Sequence, residues 1–191
     1  MGQYYNVVIK NKNTITTYNR KVDGEYTPAK LTEHSWWRNP FVCSLTKLLY
    51  ENLTLCRVAW VGDYAYSADD LNIPDGIDVA KLHEIAWGEN SKTQEIHKDE
   101  LYLDGKYLVN HTKKIYLNCD DYKLRSNNCG WRIHPLPLLT AIGNGLGGGD
   151  YYGINTDDVG TWAWNEISVE DEPPVGYTEV KYTFRETFEY A

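Results

Sequence analysis

The sequence predicts an α+β fold: one domain over residues 1–191, built on a mainly antiparallel sheet of hairpins with two inserted helices. Three observations lead there. Apolar and β-branched runs return on either side of short polar turns, as hairpins require. Two other windows repeat their apolar residues at helical spacing instead. With 42% hydrophobic and 14% aromatic side chains in 191 residues, the chain can fill one core, and no Pro/Ser-rich stretch divides it.

In chain order, YYNVVIKNKNTITTYNRK starts apolar, breaks at Asn-Lys-Asn and resumes with β-branched residues, which makes a first hairpin. NPFVCSLTKLLYENL places Phe41, Leu45, Leu48 and Leu49 on one helical face, with Pro40 in the first turn, where its missing N–H is harmless. Val58 to Val61 read as a buried strand closed by Gly62, with Asp63 where the strand opens into a loop. DVAKLHEIAWGE is the second helix: Val79, Leu82, Ile85 and Ala86 form its apolar face, and Gly88 is suited to end it. GKYLVNHTKKIYLNCDDYK gives a second hairpin, and its Tyr107, Val109 and Tyr122 roughly parallel Tyr5, Val7, Val8 and Tyr18 of the first. RIHPLPLLTAIGNG begins extended, since residues before proline avoid the α region, and turns helical after Pro137 until Gly143. GTWAWNEISV and GYTEVKYTFRETFEY, on either side of EPPVG, are expected to form a third hairpin.

Charge is unevenly spread. The net value is −8, yet residues 1–60 carry eight Lys/Arg against four Asp/Glu, and residues 150–191 carry two against ten. An acidic surface repels nucleic-acid backbones and attracts basic protein surfaces, so direct sequence-specific nucleic-acid binding is not expected. No run approaches the roughly 20 apolar residues of a membrane span, and the opening MGQYYNVVIKNKN has no signal-peptide core, so the expected location is cytoplasmic. Asn6 stands where myristoylation after Gly2 would need Ser or Thr. Cys43, Cys56, Cys119 and Cys129 include no CxxC pair, so reduced structural thiols are expected, with no metal and no cofactor.

The span GNGLGGGDYYG, Gly143 to Gly153, is the densest glycine tract. It lacks the Gly-Lys-Ser/Thr ending with which a P-loop meets phosphate and Mg²⁺, and no strand-turn-helix context supports a dinucleotide fingerprint. Its successive N–H groups could still cradle an anion. Asp63 and Asp150 each follow glycine and precede tyrosine, which sets two carboxylates at loop mouths. Cys43, Cys119 or Cys129 with His34, His111 or His134 could make a thiol–imidazole pair, a combination that chance also supplies. In HSWWRNP, the adjacent Trp36 and Trp37 must point to opposite sides of an extended segment, one of them toward solvent beside His34 and Arg38.

The stretches MGQYY, VAWVGDYA, YLVNHTKKIY, HPLPLLTAIGNGLGGGDY and VGTWAW make the sequence resemble, over most of its length, a group of small proteins encoded by gut Firmicutes and their mobile elements. The resemblance implies no activity and transfers no catalytic residue. It implies a setting in which small acidic proteins inhibit bacterial defence systems, among them anti-CRISPR proteins that act on Cas9.

The leading expectation is therefore a non-enzymatic protein-binding module for a larger basic partner, a Cas9-type nuclease being the named candidate. Glu170, Asp171, Glu172, Glu179 and Glu186 would steer the encounter, and Trp36, Trp37 and Arg38 would anchor it. The competing expectation is a small-ligand binder or hydrolase centred on the glycine tract, with Asp63, His134, Asn144, Gly147, Gly148, Asp150 and Tyr151 sharing one pocket.

Overall fold

The computed structural model describes residues 2–22, 25–27, 29–51, 55–67, 76–89, 91, 93–94, 103–122, 133–145 and 157–184. Its strands are β1 (Tyr5–Asn11), β2 (Thr14–Tyr18), β3 (Lys21–Val22), β4 (Glu25–Tyr26), β5 (Cys56–Gly62), β6 (Thr93–Gln94), β7 (Tyr107–Asn110), β8 (Ile115–Asn118), β9 (Ala141–Ile142), β10 (Glu166–Glu170) and β11 (Thr178–Glu179). Its helices are α1 (Leu31–His34), α2 (Pro40–Glu51), α3 (Val79–Trp87) and α4 (Pro135–Leu139). One mixed, mainly antiparallel sheet runs β11-β8-β7-β10-β5-β1-β2-β6, with β9 also beside β5, and β3 and β4 pair separately. The fold is α+β, as the sequence predicts.

Both early hairpins join this sheet. Asn11 faces Thr14 across a turn in which Lys12 takes φ 53°, and Asn110 faces Ile115 across a longer one in which Lys114 takes φ 54°. Between them lie β5 and β10. Among the described residues the third hairpin does not form. β10 inserts between β5 and β7, pairing Ile167 with both Cys56 and Asn110, while β11 lies parallel to β8 with Thr178 opposite Ile115. The alternation after Tyr177 is real, since Val180 and Tyr182 pack on the core and Phe184 is buried. Alternation reports which side chains face inward and carries nothing about which strand lies alongside.

Each long helix begins on a side-chain cap. Asn39 Oδ1 accepts the N–H groups of Phe41 and Val42 ahead of α2, and Asp78 Oδ1 accepts that of Lys81 ahead of α3. Gly88 ends α3 at φ −65°, outside the left-handed region; its N–H reaches Glu84 O at 2.8 Å, and a Cβ there would stand 2.4 Å from the same oxygen. Close approach is what requires glycine here. The short α4 starts at Pro135, ahead of the expected start after Pro137, and stops at Thr140, because Ala141 and Ile142 leave it to pair with Trp60 and Val61.

The sheet is buried on both faces at its centre. Along β1, Tyr5, Val7 and Ile9 join the larger core with α2, while Val8 joins a smaller one under α3; along β5, Val58 and Trp60 face the first and Ala59 and Val61 the second. Two-sided burial is why these strands read as continuous apolar runs. Removing a fully buried ring such as Trp60 would cost about 3–5 kcal/mol.

Candidate functional site

The segment after Glu166 carries Glu170, Asp171, Glu172 and Glu179 among its described residues. Tyr50 and Glu51, at the end of α2, and Ser168 to Glu172 line an open groove of about 620 Å³. Glu51, Glu170, Asp171 and Glu172 give it four carboxylates. Asp171 accepts from Tyr50 Oη at 3.0 Å and from the Lys106 ammonium, which also sits 4.6 Å from the Tyr50 ring centroid. The bond to Lys106, followed by that to Tyr50, holds the Asp171 carboxyl below its ordinary value, and the same bond raises Lys106. Glu51 pairs with Lys47 across one helical turn. Glu172 is exposed and has no ion pair among the described residues.

Ser168 belongs to a second network at the groove wall. Its hydroxyl donates to Glu170 Oε1 at 2.6 Å, and His111 Nε2 lies 2.7 Å from Ser168 Oγ and 3.2 Å from Glu170 Oε1. A hydroxyl that gives its proton to a carboxylate must accept from the ring, so His111 carries a hydrogen on Nε2, and in the neutral tautomer Nδ1 accepts from Tyr177 Oη at 3.2 Å. This direction is opposite to the one in which an imidazole takes a serine proton. The four side chains instead tie β10, the hairpin loop and the approach to β11 together. By residue type the sequence marks His111 only as a candidate base for a thiol; its serine partner lies 57 positions away, beyond the reach of any local pattern.

The tryptophan pair divides as expected. Trp36 is 42% exposed, and Trp37 is buried with its ring 5.6 Å from that of His134, so only Trp36 of the two presents a surface. Arg38 is exposed on the same turn. Glu179 is exposed on β11; Glu186 lies outside the described residues.

The residues expected around the glycine tract are split. Gly147, Gly148, Asp150 and Tyr151 lie outside the described residues, as does Cys129. Asp63 follows β5 and Asn144 follows β9, and those strands are parallel neighbours, so both positions leave the sheet at the same end. Asp63 is held by the Tyr4 N–H at 3.1 Å, its carbonyl accepts from His83 Nε2 at 3.0 Å, and burial raises its carboxyl above the usual value. His134 is buried in the interior. It caps α4, with Nδ1 accepting from Leu136 N at 3.3 Å and Nε2–H donating to Thr46 Oγ1 at 3.3 Å. Burial drops its pKa to about 3, so the ring is neutral and packed.

Cys43 and Cys119 are buried, and among the described residues no group of His, Cys, Asp or Glu is arranged to hold a metal ion. Nor is any described helix long and apolar enough to cross a membrane. No family model, curated protein or solved structure matches the chain.

Proposed function

We propose that the protein is a non-enzymatic binding module that offers the acidic groove beside β10 to a basic surface on a larger protein. The observation that carries this reading is the convergence of Glu51, Glu170, Asp171 and Glu172 on one open groove, with Tyr50 supplying an aromatic wall. Carboxylates of one sign in a concave surface steer a basic partner and fix its orientation, and an aromatic beside them accepts a lysine or arginine stem. Lys106, seated between Asp171 and the Tyr50 ring, is an internal example of the cation such a wall receives.

The resemblance to small proteins of mobile elements directs the finer reading: the partner is a nucleic-acid-targeting defence nuclease of the Cas9 type, whose nucleic-acid channels are basic, and the protein acts as its inhibitor. Mixing the protein with a Cas9–guide complex tests it. Co-elution from a sizing column together with reduced DNA cleavage is the expected result; unchanged elution and unchanged cleavage would remove the nuclease reading.

A further inference from the structure

β10 ends at Glu170 opposite Tyr107, while β11 begins at Thr178 opposite Ile115, the other end of the same hairpin. The chain between them must therefore run back along the strands as a strap. Both ends of that strap are tied: Asp171 to Tyr50 and Lys106, Tyr177 to His111, and the Thr178 N–H to Lys114 O at 3.1 Å. Between the ties, Pro173 and Pro174 fix two φ angles and bias Glu172 toward extended backbone. The strap closes on a turn. Tyr177 N donates to Pro174 O at 3.2 Å and Gly176 takes φ 84°, the geometry of a type II turn with Val175 at its first central position. Among the described residues nothing lies within 4 Å of where a Gly176 Cβ would stand, so backbone conformation selects glycine. Val175 is 101% exposed at the tip.

An apolar side chain left fully in water on a backbone ordered by two prolines, a turn and tethers at both ends has its conformational freedom already removed, which is the condition that favours a contact loop. We infer that the Asp171–Tyr177 strap is the protein's primary contact element, with Val175 entering an apolar pocket of the partner whose rim carries lysine or arginine. Glu172 beside the prolines and Glu179 just past the strap supply the opposite charge for that rim. This inference rests on the protein-binding reading above and specifies where and how binding occurs.

The test uses the whole protein with the Cas9–guide complex as probe, comparing wild type, Val175→Ile and Val175→Asp by biolayer interferometry. Since Val175 touches solvent, all three should melt alike. The inference expects Val175→Ile to bind like wild type and Val175→Asp to bind about tenfold more weakly or worse. Equal binding by wild type and Val175→Asp overturns the strap and leaves the protein-binding reading in place. Absence of binding by wild type removes the nuclease reading, and this inference with it. A partner-free arm follows amide exchange: the Tyr177 N–H should exchange at least about tenfold more slowly than in an unstructured peptide. Exchange at the free-peptide rate overturns the preordered strap whatever the binding result.

Discussion

The hydroxyl of Tyr177 stands 3.2 Å from Nδ1 of His111, and this contact joins the strap after β10 to the loop of the β7–β8 hairpin. Their rings also meet edge to face, with centroids 5.6 Å apart. Tyr177→Phe keeps the ring contact and removes the donor. The expected loss is about 1 kcal/mol, or a melting temperature lower by about 2–4 °C for a chain of this size. A variant that melts like wild type would show that the hydroxyl contact contributes nothing in solution.

Lys114 carries a left-handed φ of 54° in the same hairpin loop, a conformation that a β-branched side chain adopts poorly. Stability measured by urea unfolding should therefore rank Lys114→Gly at or above wild type and Lys114→Val below it by about 1–2 kcal/mol. Equal stability of the valine variant would contradict the φ.

His34 and His134 are both buried, and burial drops each pKa to about 3. His34 sits between Phe41 and Trp60, neither ring nitrogen has a hydrogen-bond partner among the described residues, and nearby carbonyls of Tyr5 and Ala29 offset its desolvation only in part. In the unfolded chain both rings take up a proton near pH 6.5. The unfolded state thus binds more protons below that pH, and stability is full above about 6.5 and falls as pH drops toward 3, by roughly 1.4 kcal/mol per unit for each ring. His34→Leu should fall about half as steeply between pH 6.5 and 5, before carboxylates begin to titrate, measured by urea unfolding at each pH. An unchanged slope would remove His34 from the account.

Local patterns foretold local structure. Helical spacing from Phe41 to Leu49 gave α2, the apolar run through Val58 to Val61 gave β5, and the polar breaks at Lys12 and after Asn110 gave two hairpins. What stayed hidden was every relationship set by distant pairing. The insertion of β10 between β5 and β7, and the parallel return of β11, depend on partners about 60 to 110 positions away, which no periodicity records. The site divides along the same line. Glu170, Asp171 and Glu172 stand out as an acidic run, but their meeting with Tyr50 and Lys106 follows from the topology. Trp37 and His134 were legible as residues of interest only because aromatic and titratable side chains are marked by type; packed against one another, they serve the core.

The most direct measurement of the central claim is a calorimetric titration of the Cas9–guide complex with the protein at about 0.05 M and about 0.3 M salt, on either side of the range where surface charges become screened. The account predicts saturable heats with one-to-one stoichiometry at low salt, an affinity at least about tenfold weaker at high salt, and a comparable weakening at low salt when Glu172 is replaced by lysine. Saturable binding indifferent to both salt and Glu172→Lys, or no saturable heat at either salt, would contradict recognition of the nuclease through the acidic groove.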